Sequence, residues 1–182
     1  MSSALLVSKG MKTLRRCGNI GVYTSADFAY MLGRPRDKAL QNIVSRLSRQ
    51  GVIARIARDL YYDPVDPPSC TYLLERIAVR IHRWHCIYTS LEYELSRAGI
   101  ISQVMMQWIT VMTTGRSGVF TTPFGTIEFT HTERDVNQIA DQLYWDTEAG
   151  IFRARPERAL ADLRRVGRNL HMIDDQAEYD AA

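Results

Sequence analysis

What this chain has little of is informative. No run of apolar residues is long enough to cross a bilayer, so no membrane partner is expected. The first residues, MSSALLVSKGMKTLRR, place their charge after a short apolar patch, and no small-residue cleavage site follows. That is the reverse of an export signal, and a cytoplasmic setting is expected. Cysteine is scarce: Cys17, Cys70 and Cys86 are odd in number and far apart. They form neither a disulfide framework nor a Cys-x-x-Cys metal pair, and buried reduced thiols are expected. A G-x-x-x-x-G-K-[ST] phosphate loop and a G-x-S-x-G nucleophile turn are both missing. No cofactor and no metal are expected.

Proline is sparse too, with 6 in 182 residues, but Pro64, Pro67 and Pro68 fall in one short stretch. Such density cannot continue a helix or a central strand. Charge also changes sign there. Residues 1–62 hold 11 Lys and Arg against 3 Asp and Glu, whereas residues 63–182 hold 12 against 17. A basic head points to a polyanion, and an acidic remainder to some other task. The expected division is a first domain over 1–64, a linker at 65–69, a second domain over 70–172 and a disordered tail at 173–182. With 46% apolar and 24% charged residues, both domains can bury a core.

In the basic head, a helix is expected over 3–16, with Gly10 as a weak point. A short strand is expected over 20–23. The stretch from Thr24 to Pro64 then carries three signals in order. A short helix opens at a Thr24-Ser25 cap and stops at Gly33. After the Arg34-Pro35 turn, residues 36–50 are amphipathic. Leu40, Ile43, Val44 and Leu47 share one narrow arc, while Lys38, Gln41, Asn42, Ser45 and Arg49 lie opposite, with Arg46 at the edge. Residues 52–62 then suggest two strands joined at Arg58-Asp59. This is the layout of a winged helix-turn-helix. On that reading Lys38, Gln41, Asn42, Ser45, Arg46 and Arg49 face base edges and phosphate. Thr24, Ser25, Arg34, Arg36, Arg55 and Arg58 contact the DNA backbone. Asp59 at the tip would repel phosphate and limit how deeply the wing inserts. An amphipathic helix often has only a solvated polar face. The basic ribbon and the preceding helix-turn favour recognition here.

Beyond the prolines, helices are expected over 71–83, 91–97, 135–143 and 156–166. Strands are expected over 108–113, 119–122 and 126–130, giving a small, mostly antiparallel sheet. The class is therefore α+β. His82 and His85 could share a helical face as metal ligands, yet no partner pair follows at a known spacing. Glu128 and His131 fall on opposite faces of a strand. Glu157 suits a helix start, and with Asp162 it could form a nuclease-like acid pair.

The second half resembles the AbiEi family of antitoxins. The resemblance rests on Tyr88-Thr89-Ser90-Leu91-Glu92, then Leu95-Ser96-Arg97-Ala98-Gly99-Ile100-Ile101-Ser102-Gln103. It continues with Thr113-Thr114-Gly115-Arg116, Thr122-Pro123-Phe124-Gly125-Thr126-Ile127-Glu128-Phe129, and Ala154-Arg155-Pro156-Glu157-Arg158-Ala159-Leu160-Ala161-Asp162-Leu163. It covers about residues 14–168. One departure stands out: where many relatives end the wing with Arg-Gly before an aromatic, this chain has Arg58-Asp59-Leu60-Tyr61. The resemblance implies a non-enzymatic antitoxin of a two-gene, type IV toxin–antitoxin or abortive-infection system. Its winged helix would bind operator DNA and repress its own promoter; self-associated copies on an inverted repeat are expected, since two half-sites multiply affinity. Its implied partner is a nucleotidyltransferase-like toxin encoded nearby. Two other readings stay open: a nucleic-acid-processing enzyme using Glu128, Glu157, Asp162 and the His82–His85 pair, and a winged-helix module for protein contact.

Overall fold

The computed structural model describes residues 2–101 and 106–173. The chain separates into two compact units, Met1–Leu73 and Leu74–Ala182.

The first unit is three helices and a two-stranded ribbon. Helix α1 (Ser3–Arg16) starts where the Ser2 side chain accepts a hydrogen bond from Leu5 N. It spans 3–16 as expected, and the weak point at Gly10 does not break it. A Cβ at position 10 would lie 2.5 Å from Met31 Cγ, so the glycine lets α1 close onto helix α2 (Ser25–Leu32). Thr24 and Asp27 form a reciprocal capping box at the start of α2, and Gly33 ends it in a left-handed conformation. Helix α3 (Lys38–Arg49) starts two residues later than expected, because Asp37 caps it by accepting from Leu40 N at 2.8 Å. Strands β1 (Ala54–Ala57) and β2 (Leu60–Tyr62) pair antiparallel, with a bulge between Arg55 and Ala57. The strand expected over 20–23 reduces to a single bridge, Tyr23 to Tyr61. Val7, Met11, Phe28, Leu40, Val44, Leu47 and Ile53 make the core. Each large aliphatic side chain buried there contributes roughly 1.5–3 kcal/mol. Tyr23 is buried with them and donates to Met11 O, and its burial pushes the phenol up to about 12. The proline segment expected as a linker is tied to this unit: Arg15 pairs with Asp66 at 3.3 Å and donates to Pro67 O.

The second unit is a six-stranded sheet with helices on both faces. Its elements are α4 (Leu73–Ile81), β3 (Ile87–Thr89), α5 (Leu91–Arg97), β4 (Trp108–Thr113), β5 (Gly118–Thr122), β6 (Gly125–His131), β7 (Leu143–Asp146), β8 (Ile151–Ala154) and α6 (Pro156–Val166). The strand order is β5-β6-β4-β3-β8-β7. Pairings β5–β6, β3–β4 and β7–β8 are antiparallel, and β4–β6 and β3–β8 are parallel. The sheet is thus larger and more mixed than expected, since β3, β7 and β8 add to the three expected strands. The helix expected over 135–143 is a 3-10 helix (Val136–Gln142) capped by Asp135. Tyr88, Met112 and Ala154 on one sheet face pack against Leu91 and Leu95 of α5 and Ala159 and Leu163 of α6. On the other face Glu75 of α4 meets Arg153, and His82, just past α4, meets Thr113 and Phe129. Gly125 is required where β6 joins β4: at φ 137° a Cβ would overlap Gln107 O.

All three cysteines are exposed rather than buried as expected. Ile173 bridges Ile101 and packs with Met172 on the core, so the tail does not begin at 173. The rest of the expected tail, 174–182, and Ser102 and Gln103 of the family block lie outside the described residues.

Candidate nucleic-acid interface

Helical periodicity decides which side chains α3 can offer. With Leu40, Val44 and Leu47 turned into the core, Lys38, Gln41, Asn42, Ser45, Arg46 and Arg49 are all exposed. The capped α2 and the Gly33 turn hold α3 in place, and Leu40, Val44 and Leu47 fix its rotation. Arg46 lines a hollow with Ser2, Ser3 and Ala4 at the start of α1, so it sits at the margin of the polar face. Arg49 Nε turns back to Ser45 O at 3.4 Å. The exposed face combines fixed cations with two carboxamides, the side chains suited to guanine and adenine edges.

The other expected contacts fall into two groups. Arg34, Arg55 and Arg58 are exposed, although Arg55 Nε donates to Ala57 O across the bulge at 3.0 Å. Thr24, Ser25 and Arg36 are engaged within the chain. Asp27 accepts from both the N–H and the hydroxyl of Thr24, at 2.7 and 2.8 Å. Ser25 N donates to Asp59 Oδ1 at 3.0 Å, and Arg36 donates to Ser25 Oγ at 3.1 Å. Arg36 also pairs with Asp59 Oδ2 at 3.5 Å. Asp59 therefore does not stand bare at the ribbon tip. It adopts φ 59°, a left-handed conformation that Asp tolerates better than most residues, and folds onto the start of α2.

No family model and no curated protein matches the chain. Among solved structures, the RV2827C protein from Mycobacterium tuberculosis matches with a TM-score of 0.57 at 14% identity, over 87% of this chain and 60% of that one. The likeness is one of fold, and this chain spans 60% of the length of that protein's chain.

In the second unit, the residues considered for catalysis do not converge. Asp162 is buried, accepts from Ser90 Oγ at 2.8 Å and Tyr88 OH at 3.1 Å, and pairs with Arg158. Glu157 is exposed on the first turn of α6. Glu128 joins Glu92 around Arg168, beside a cavity of about 260 Å³ that Trp108 and Met172 also line. Among the described residues, no three His, Cys, Asp or Glu side chains form a metal-holding group. His82 stacks on Phe129, ring centroids 4.0 Å apart, with Nδ1 2.9 Å from Thr113 Oγ1. Gly115 permits this arrangement, since a Cβ there would lie 2.8 Å from both histidine rings.

Burial, then the charge of His85, holds the His82 imidazole below its ordinary value. Below about pH 6.5 the unfolded chain therefore binds more protons at this position than the folded one. Stability should be intact above pH 6.5 and fall as pH drops below it, until the lower folded value is passed. Urea titrations at pH 7.5 and 5.5 check this. His82→Gln should narrow the gap between the two midpoints, and an unchanged gap would contradict the assignment.

One further cluster is announced by no motif in the sequence. Arg153 is fully buried and pairs with Glu75 at 3.2 Å, Glu94 at 2.8 Å and Asp146 at 2.5 Å. Burial opposes its charge, but hydrogen bonds and attraction from Asp146, Glu94 and Glu75 outweigh burial and raise its pKa. Tyr93 OH donates to Glu75 at 2.6 Å and Thr89 Oγ1 to Glu94 at 2.5 Å. Burial and then Glu75 raise the Tyr93 phenol, and burial and then Asp162 do the same for Tyr88. The usable local signal is a charged residue at an inward strand position, between Ile151 and Ala154.

Proposed function

We propose that the first unit is a winged helix that binds operator DNA. We further propose that the whole chain acts as the antitoxin and autorepressor of a two-gene type IV toxin–antitoxin system. One observation carries the DNA half: α3 holds Lys38, Gln41, Asn42, Ser45, Arg46 and Arg49 exposed on its polar side, in a region with 11 Lys and Arg against 3 acids. In this reading α3 enters the major groove, where Gln41 and Asn42 can pair bidentately with adenine and Lys38 with guanine. Arg34, Arg55 and Arg58 hold phosphates and fix the register. Two copies on an inverted repeat would contact two half-sites.

The antitoxin half rests on the resemblance of the second unit's sequence blocks. It is supported by how those blocks meet: Tyr88 and Ser90 from one bond Asp162 from another, and Leu91 and Leu95 pack with Ala159 and Leu163. The partner in this reading is a nucleotidyltransferase-like toxin encoded nearby, with both proteins in the cytoplasm. Co-expression with that toxin tests it. Restored growth is expected with the full chain, together with repression of a reporter driven by its own upstream DNA. Absence of rescue would remove the antitoxin role, and an unrepressed reporter would remove the autorepressor role.

A further inference from the structure

The start of α2 and the tip of the ribbon share an anion position that is already filled. An α-helix begins with N–H groups that have no partner inside the helix, at the positive end of its dipole. In α2 the capping box uses Thr24 and Asp27, and the N–H of Ser25 is left over. Asp59 Oδ1 takes it, while Asp59 Oδ2 faces the Arg36 guanidinium, which also donates to Ser25 Oγ. A backbone N–H and a guanidinium presented together to one anion are also what binds a phosphate.

We propose that Asp59 is an internal phosphate surrogate, an autoinhibitory contact. In the free protein its carboxylate fills the position made by Ser25 and Arg36, and on binding a nucleic-acid backbone phosphate displaces it. The proposal rests on the DNA-binding reading. Exchange is sterically open, since the Asp59 and Arg36 side chains keep 32% and 52% of their surface exposed. Nothing covalent changes: one anion leaves the Arg36 guanidinium for water and another takes its place. In the closed arrangement Asp59 cancels the charge of Arg36, so the exposed Arg58 beside it acts without help from this position. Displacing Asp59 adds Arg36 to the phosphate-binding set. The acid thus sets a threshold that weak or badly placed polyanions do not pass.

The test compares wild type, Asp59→Asn, Arg36→Gln and the double variant, all as the full chain. Asparagine tolerates a φ of +59° and can still accept from Ser25 N, while leaving Arg36 uncompensated. Circular dichroism and thermal unfolding establish that each variant folds. Fluorescence anisotropy with a random-sequence duplex of about 25 base pairs, titrated across salt, gives affinity and its salt slope. Asp59→Asn should bind about tenfold tighter at low salt, with a salt slope steeper by about one. That gain should largely vanish when Arg36 is already Gln. Weaker binding by Asp59→Asn would overturn the proposal, showing that Asp59 serves to position the ribbon. An equal gain in the Arg36→Gln background would also overturn it, showing that only net charge matters. If neither wild type nor Asp59→Asn binds the duplex in a salt-dependent way, the DNA-binding reading falls and the proposal with it.

Discussion

Replacing Arg153 with methionine is expected to destabilise the second unit by about 3–5 kcal/mol, the range for removing one partner from a buried ion cluster. Arg153 is the cation that Glu75, Glu94 and Asp146 share, and Glu75 and Glu94 are buried with it. Methionine fills much of the same volume, so the loss would come from electrostatics more than from a cavity. The carboxylates would face one another with too little compensating charge. Their remaining partners are Tyr93 OH, Thr89 Oγ1, the N–H groups of Glu148 and Ala149 on Asp146, and the part-exposed Arg97, 3.5 Å from Glu94, so one outlying cation would be left for three carboxylates. The effect should spread beyond one residue, because the cluster joins α4, α5, β7 and β8. Urea titration of the full chain, followed by the fluorescence of its tryptophans, is the measurement. A loss below about 1 kcal/mol would mean that the carboxylates find other partners or become protonated. Asp66→Ala provides the contrast. It removes the half-exposed Asp66 from its pair with Arg15, and such pairs contribute about 0–1 kcal/mol.

The second large effect is expected on recognition rather than on stability. Gln41→Ala and Asn42→Ala should each lower the preference for operator over random DNA by about 1–3 kcal/mol, the range for one lost base contact. Both side chains are exposed on α3, so unfolding midpoints should barely change. Lys38→Ala separates two roles. If it touches phosphate, it should weaken binding to all sequences alike and flatten the salt slope; if it reads guanine, it should relax preference at one position. Competition gel shifts with operator, half-site and scrambled duplexes distinguish these. Unchanged preference after both carboxamides are removed would take base reading away from this face.

Much of the first unit is legible because its signals are local. The Thr24 cap, the Gly33 stop, the arc of Leu40, Val44 and Leu47, and the break at Gly51 all lie within a few residues of what they determine. The role of Gly10 is hidden for the opposite reason. Its meaning depends on Met31, which sits on another helix, and propensity alone counts only the cost of the glycine. The second unit's outer strands are hard to read on similar grounds. Tyr144 and Trp145 pair with Arg153 and Phe152 as a hairpin. The Asp146 to Gly150 turn lacks the Asn-Gly or Asp-Gly dipeptide that usually marks one. The Arg153 cluster is not legible as a cluster, because its members lie at positions 75, 94, 146 and 153 and meet only through the fold. Asp59 is legible as a charge at the ribbon tip. Its partner is not, since Ser25 lies 34 residues away.

The central claim is that the first unit reads DNA through α3. Its most direct test is a footprint of the full chain on the DNA upstream of its own reading frame, repeated with the Gln41→Ala, Asn42→Ala double variant. Protection of two half-sites of an inverted repeat by wild type, weakening with salt and lost in the double variant, is the predicted result. Protection that the double variant retains unchanged, or no protection by wild type at low salt, would contradict it.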